Sequence, residues 1–386
     1  MSALSPSLRP PTHGGARRVR TVGVEEELLL VDARTLRLVP RAEDVLGSPA
    51  RVPAQGTVLE LEVKREQIEV VSPPSLTLAD LAATIAAGRR AADDAARAVG
   101  ARAVALASAP MPCSPHLVLT PRYDRMQELF RLTMDEQLTC GFHVHVCIDS
   151  ADEGVAVLDR IRPWLPVLLA LSANSPFWQG TDTGFASYRY QAWGRWPTTG
   201  AHDRFESADA YEQSVDELLS AGVCFDAGMV YFDARLSRHA PTVEVRIADV
   251  CMMPEDAATI AALVRALVET ASADWLAGVP ADDVSTSVLR LASWRASRFG
   301  LDQDLLHPRD RVICPAADAV TALLDHVDRG FTDQDERREV HRAVRRILRR
   351  GTGAAVQRRA LREGGTSHAV IADALAHTHG SGSESP

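Results

Sequence analysis

The sequence predicts an α+β fold, and three observations carry that reading. Strand-like runs crowd into the first 250 residues, at roughly 20–31, 56–71, 101–108, 139–148, 223–235 and 241–249. Everything after residue 281 reads as helix. Strands and helices do not alternate strictly, which argues against a parallel doubly wound sheet.

The elements follow in order. The opening "MSALSPSLRPPTHGGARRVR" is rich in Pro, Gly and Arg and has no apolar h-region. It reads as a disordered leader over 1–18, not as a signal peptide. "TVGVEEELLLVD" is a strand with Val22, Val24, Leu28 and Leu30 on one face and Gly23, Glu25, Glu27 and Leu29 on the other. Glu25 and Glu27 share a face; like charges this close repel, so one pKa rises unless a cation sits between them, the alternative being a solvated edge strand with three acids. Glu26 falls among the apolar residues, an awkward place that a bulge or a surface position would accommodate. "VLELEVKREQIEVVSPP" offers Glu60, Glu62, Glu66 and Glu69, of which Glu69 stands out among Ile68, Val70 and Val71. Glu62 and Glu69 have opposite strand parity, so both reach one site only through a bulge.

"LADLAATIAAGRRAADDAARAV" (78–99) and "DEGVAVLDRIRPWLPVLLALS" (152–172) have helical spacing. Between them, "CGFHVHVCIDS" puts His143, His145 and Cys147 on one strand face and Phe142, Val144, Val146 and Ile148 on the other. "ANSPFWQGTDTGFASYRYQAWGRWPTTG" (173–200) is too long and too aromatic for a plain loop and suggests a substrate-binding segment, with Arg189 and Arg195 as anion contacts. In "PTVEVRIAD", Val243, Val245 and Ile247 form an apolar face, while Glu244 and Arg246 lie side by side on the other. That pair is either a surface ion pair or a metal ligand beside a phosphate clamp. The helix at 254–278 begins with Pro254 and ends at Gly278. Helices at 284–299, 315–328, 333–350, 353–363 and 367–378 follow, then a tail over 379–386 that is disordered by composition. No linker requires a split, so 19–378 reads as one domain.

The bulk numbers exclude some classes. With a formal net charge of -9 and no basic run, nonspecific nucleic-acid or acidic-membrane binding is not expected. The longest apolar run, "WLPVLLAL", is too short to cross a bilayer. Six cysteines without a Cys-x-x-Cys pair fit a reduced, cytoplasmic protein. No Walker A or Gly-x-Gly-x-x-Gly sequence is present. Two chemistries stay open for the histidines. His-x-His holds zinc in barrel amidohydrolases, with further His ligands on later strands. Here the other strands supply carboxylates, and oxygen-rich sites favour Mg²⁺ or Mn²⁺.

Taken in order, "TVGVEEELLLVD", "EQIEVVSPP", "RYDRM", "CGFHVHV", "LPVLLALSANSPFWQGTDTGFASYR", "RWPTTG", "PTVEVRIAD" and "WRASRFGL" resemble glutamate–cysteine ligase family 2, the bacterial carboxylate–amine ligases, over roughly 20–378. The resemblance implies a glutamine synthetase-like core: a curved, mostly antiparallel sheet with helices on one face and Mg²⁺ and ATP on the other. It implies Glu25, Glu27, Glu69, His143 and Glu244 as metal ligands, with Glu27 and Glu244 also counted as catalytic. Arg246 becomes the catalytic phosphate contact, and His145 and Glu62 line the nucleotide and substrate site. Arg189 or Arg235 would hold a substrate carboxylate.

The implied reaction joins an amino-acid carboxylate, in the first instance the γ-carboxylate of glutamate, to an amine at the expense of ATP, in a possible homodimer. The pattern departs at Cys147, where relatives carry glycine. It departs again at "ASAPMPCSPH", in place of a Gly-Thr-His-Pro-like turn, and at "VYFDAR", in place of paired Trp. The competing readings are a zinc amidohydrolase built on His143 and His145, and a non-catalytic relative with the same fold.

Overall fold

The computed structural model describes residues 19–50 and 56–380. The expected leader and residues 381–386 of the expected tail lie outside the described residues. Of that tail, His379 caps the last helix, with its Nε2 2.9 Å from Ala103 O.

Seven strands form one sheet: β1 (Val22–Asp32), β2 (Val58–Leu61), β3 (Gln67–Val71), β4 (Ala101–Val104), β5 (Gly141–Cys147), β6 (Ala234–Leu236) and β7 (Thr242–Asp249). Their order is β2-β3-β1-β5-β7-β6, with β4 pairing the far end of β1, and every pairing is antiparallel. The fold is α+β, as the sequence predicts. Where one long strand is expected at 56–71, two form, joined through residues 62–66. Of the run expected at 223–235, only Ala234–Leu236 is strand; a single 3₁₀ turn, Ala227–Met229, precedes it.

One sheet face is apolar. Val22, Val24, Phe142, Val144, Val146, Val243 and Val245 are buried there with helices α1 (Leu78–Ala98), α2 (Ala151–Ile161), α3 (Leu165–Ser172) and α4 (Pro254–Leu276). The α2–α3 break is chemical: Pro163 has no N–H to continue the helix, and Arg162–Trp164 tightens into a 3₁₀ turn. Helix α4 is buried nearly all round and forms the spine of this layer, the expected fate of a helix without a polar face. The second half of β1 differs from its first. Residues 22–27 alternate, whereas Leu28 to Val31 are buried on both faces, against β4 and the C-terminal helices.

Glu26 lies on the apolar face, neither on a bulge nor at the surface. Arg89 of α1 donates to both of its oxygens, at 3.0 and 2.6 Å, and also to the carbonyls of Met252 and Cys251. The pair is buried and clamps β1, α1 and the turn into α4 together.

Helices α5 (Thr286–Phe299), α6 (Ala316–Val327), α7 (Gln334–Arg350), α8 (Gly353–Gly364) and α9 (Ser367–Thr378) follow as expected. A short hairpin, Leu305–Leu306 with Ile313–Cys314, interrupts the array where only helix is expected. Its loop carries Pro308 and is stitched by Asp310 N to His307 Nδ1 at 3.1 Å, turn chemistry that a helix does not tolerate. Among the described residues no helix is long and apolar enough to cross a membrane.

Candidate functional site

Strand register sets the polar face of the sheet in three rows. In the first, Glu60 of β2 stands opposite Glu69 of β3, and Glu69 opposite Glu27 of β1. Gly141 of β5 extends this row, donating its N–H to Glu27 Oε2 at 2.6 Å, and Asp249 of β7 closes it opposite Gly141. In the second row, Glu25 faces His143. In the third, Gly23 faces His145, His145 faces Glu244, and Glu244 faces Arg235 of β6.

A bulge shapes the far side. Phe142 pairs with Ala248 but Val144 with Val245, so Arg246 and Ile247 together oppose His143. Arg246 keeps the face of Glu244, and the extra residue brings Asp249 onto that face as well.

The contacts define two ligand groups. Glu25, His143 and Glu244 form one, and Glu27, Glu69 and His143 the other. Within each group the candidate ligand atoms lie within 4.8 Å of one another. His143 stands between them, with Nδ1 3.0 Å from Glu25 Oε2 and Nε2 4.0 Å from Glu27 Oε1. A neutral imidazole has one nitrogen lone pair, so His143 can ligate in one group at a time. His145 places Nε2 3.1 Å from Glu25 Oε1, an ion-pair distance without hydrogen-bond alignment, and its Nδ1 meets Thr242 Oγ1 at 3.1 Å. Both groups are rich in carboxylate oxygen, a donor set that suits Mg²⁺ or Mn²⁺.

Electrostatics divide the face. Burial pushes the Glu62 carboxyl up to about 8, with the Glu27 charge adding to it. Burial and the charge of Glu62 hold Glu69 well above the usual range. Burial opposes ionisation of Glu25, yet His143 and His145 hold it well below that range. His145 is pushed up because Glu25 outweighs its burial, whereas burial and Arg246 push His143 down. At the other end, Arg246 and Arg235 outweigh burial and keep Glu244 ionised. Arg235 reaches Glu244 at 2.7 and 3.2 Å, and Arg246 Nη1 also contacts Glu244. Arg246 Nε is buried with no hydrogen-bond partner.

The structure thus brings Glu25, Glu27, Glu69, His143, His145, Glu244, Arg235 and Arg246 onto one face. Glu62 lies just beyond β2, in the turn to β3, within electrostatic reach of Glu27, Glu25 and Arg246. The parity rule does not bind it, because β2 and β3 are separate strands. Arg189 sits beside the site, close to Gly141 on the His143 side. Its guanidinium donates to the carbonyls of Ile247 and Arg246 at 3.3 and 3.2 Å, with Asp249 Oδ1 at 3.7 Å. Arg195 pairs with Glu136 at 2.5 Å.

Sequence reasoning missed Asp249, which also accepts from Asn174 N, Ser175 Oγ and Ser187 Oγ and so ties the aromatic segment to β7. It also missed the cluster of Met126, Trp196 and Tyr231, with Tyr123 and Trp193 packed against it. The bulge that turns Asp249 onto this face has no composition signal. The sheet is open, with β2 and β6 at its edges. The His-x-His strand is therefore interior to an open sheet and does not begin a barrel.

The family model described as glutamate-cysteine ligase family 2 matches residues 21–377. A Paenarthrobacter aurescens (strain TC1) protein, provisionally named glutamate–cysteine ligase 2-1, is 53% identical over 376 residues, covering 96% of this chain and 98% of its own. Among solved structures, a glutamate–cysteine ligase from Francisella tularensis in complex with AMP aligns at a TM-score of 0.64 and 14% identity, over 94% of this chain and 89% of its own. A bifunctional glutathione synthetase from Pasteurella multocida aligns at a TM-score of 0.68 and 14% identity, over 94% of this chain and 52% of its own. The chain therefore spans about half of that bifunctional protein.

Proposed function

The chain belongs to glutamate–cysteine ligase family 2, and from that premise we propose that it is an ATP-dependent carboxylate–amine ligase making a γ-glutamyl amide through an acyl phosphate. The observation that carries the reading is Arg246. Its Nε is a buried donor without an acceptor, and it stands at the border of two oxygen-rich ligand groups. An orphaned guanidinium donor beside a carboxylate cluster fits an anion held between cation and arginine.

In the first step a substrate carboxylate oxygen attacks the γ-phosphorus of ATP, and the bond to the ADP oxygen breaks. In the second, the amine nitrogen attacks the acyl carbon, the carbon–oxygen bond to phosphate breaks, and inorganic phosphate leaves as the amine loses a proton. Divalent cations, held by Glu25, Glu244 and His143 or by Glu27, Glu69 and His143, would neutralise charge on the phosphate oxygens. Arg246 supplies the fixed donor for charge developing on the transferred group. Glu244, paired with Arg235 of the edge strand β6, holds Arg246 in place for it. Arg189 acts through the backbone, on the carbonyls of Arg246 and Ile247. Glu27 accepts the Gly141 N–H and would hold a cation together with Glu69 and His143.

The test is ADP release with ATP, Mg²⁺, glutamate and a panel of amines, run on the parent, Arg246→Gln and Glu27→Gln. Each substitution should lower turnover at least about 100-fold, with the far-ultraviolet circular dichroism melt preserved. Near-parental turnover in either variant would refute the assigned roles. Turnover without ATP would sink the ligase reading. Glu27→Gln is the cleaner probe, because Glu244→Gln would also leave Arg235 and Arg246 without their shared counter-charge.

A further inference from the structure

Resting on the ligase reading, we propose that Asp249 is a positioning residue for Arg246. It acts through the run Ser187–Tyr190 of the aromatic segment and fixes where the Arg246 guanidinium points. The bulge on β7 creates the need. Arg246 and Ile247 together oppose His143, so regular ladder pairing does not fix the strand at this point. Other groups fix it instead. Arg189 takes the carbonyls of Arg246 and Ile247, at 3.2 and 3.3 Å. The Arg246 N–H goes to the carbonyl of Asp233 at 2.9 Å. Both backbone polar groups of Arg246 are therefore held by groups outside the β5–β7 ladder.

Both holders trace to one short stretch of chain. Arg189 and Tyr190 are consecutive, and the Tyr190 hydroxyl donates to Asp233 Oδ2 at 3.1 Å. Ser187 caps the helix that carries them, Tyr188–Trp193. The Ser187 hydroxyl donates to Asp249 Oδ1 at 2.8 Å. The Ser175 hydroxyl donates to Asp249 Oδ2 at 2.7 Å and accepts the Arg189 N–H at 2.9 Å. One carboxylate, beyond Arg246 on the same strand, thus anchors the start of the helix whose side chains grip Arg246.

The pairing is unlike that of a plain structural ion pair. Arg189 Nη1 lies 3.7 Å from Asp249 Oδ1, while the guanidinium hydrogen bonds go to the bulge carbonyls. Asp249 orients Arg189, and Arg189 orients the backbone of Arg246. Asp249, Ser175 and Ser187 are fully buried. None of them can touch a substrate, so an effect on turnover passes through what they hold. A satisfied buried network is stiff, and a displacement of about 1 Å at a reacting centre costs up to about 100-fold in rate. Arg246, with its buried and unpartnered Nε, is the group whose direction matters.

The experiment is a double-mutant cycle on the full chain. ADP release with ATP, Mg²⁺, glutamate and the fastest amine of the panel is compared across the parent, Asp249→Asn, Arg246→Gln and the double variant. Asparagine keeps the shape but turns an N–H donor toward groups that themselves donate. Asp249→Asn should lower kcat about tenfold in the parent and under about twofold in the Arg246→Gln background, with the glutamate and amine KM within about twofold. Ser187→Ala, which removes one hydroxyl, should show the same pattern at about threefold and carries the cycle if Asp249→Asn does not fold. A merely structural role predicts the same fold loss in both backgrounds. That result, or parental kcat in both Asp249→Asn and Ser187→Ala, would overturn the proposal.

A binding arm needs no turnover. Isothermal titration calorimetry with the Mg²⁺ complex of β,γ-imido-ATP should show Asp249→Asn weakening binding in the parent and adding nothing to Arg246→Gln; equal weakening in both backgrounds counts against the positioning role. The two readings fail separately. No ADP release from the parent with any pair sinks the ligase, and the binding cycle still decides Asp249. ADP release with fully multiplicative losses sinks the positioning role and leaves the ligase.

Discussion

Three consecutive glutamates have three different fates, and only their partners explain why. Glu25 is drawn between two histidines, Glu27 accepts the Gly141 N–H, and Glu26, one residue from each, is buried against Arg89. Strand alternation alone assigns Glu25 and Glu27 to one face and Glu26 to the other. It does not say that Arg89, sixty-three residues on, arrives to meet Glu26. A paired buried charge is tolerated, whereas an unpaired one is not. Glu26→Gln should therefore cost about 3–5 kcal/mol in urea unfolding, because it leaves the Arg89 guanidinium buried without its counter-charge. Glu27→Gln should cost under about 1 kcal/mol, since it removes a carboxylate standing directly opposite Glu69. The contrast checks the assignment of faces. A Glu26→Gln protein as stable as its parent would mean that the Arg89 pair is not a structural clamp.

At the scale of elements, the glycine that matters is Gly141 of β5, not Gly23 of β1. Gly23 leaves space among the acids, but a Cβ there would meet only Ser72, at 3.7 and 3.9 Å, an ordinary contact. A Cβ on Gly141 would collide with Arg189 Nη2 and stand 3.1 Å from His143 Nε2. Strand β5 can pass over Arg189 only with no side chain at that point. Gly141→Ala should lose about 1–3 kcal/mol of stability through forced displacement and weaken divalent-cation binding by shifting His143, whereas Gly23→Ala should change neither appreciably. Differential scanning fluorimetry with and without Mg²⁺ reads both effects, and a silent Gly141→Ala would show that Arg189 does not press against β5 at that point.

The same scale shows what the sequence reveals. Period-2 runs at 22–27, 141–147 and 242–249 were legible because one face is apolar and the other is not, and the long helices because their apolar stripes repeat at 3.6. The residues that share the site were legible by face, once each strand was taken separately. What joins strands was not. The Arg246–Ile247 bulge, the break of 56–71 into two strands and the Arg189–Asp249 support all depend on cross-strand register, which single-strand periodicity does not contain. The helix Ala208–Ser220 was within reach: Tyr211, Val215 and Leu218 recur at helical spacing behind the Ser207 cap.

For the whole molecule, the decisive property is that one sheet carries a protonated acid end and an ionised arginine end. Glu62, at about 8, and Glu69, well above its usual range, hold their protons in the folded chain more tightly than they would unfolded. The sign follows from proton counting. Where the folded state binds more protons, stability falls as pH rises. The metal-free chain should therefore lose stability as pH climbs from about 4.5, the ordinary glutamate value, through about 8. A divalent cation reverses the balance, because ligation requires the carboxylates that protons occupy. Mg²⁺ should then raise the melting temperature more at pH 8 than at pH 6. At a concentration 100 times its dissociation constant, the gain at pH 8 should reach about 2.7 kcal/mol. Binding should also release protons, seen as a calorimetric heat that depends on the ionisation enthalpy of the buffer. Glu69→Gln should abolish most of both effects, since Glu69 belongs to the Glu27–His143 group and lies in the acid row. A melting shift equal at pH 6 and pH 8, or binding heats independent of buffer, would show that these carboxyls are not where the cation binds, and the division of the sheet into an acid end and an arginine end would lose its functional meaning.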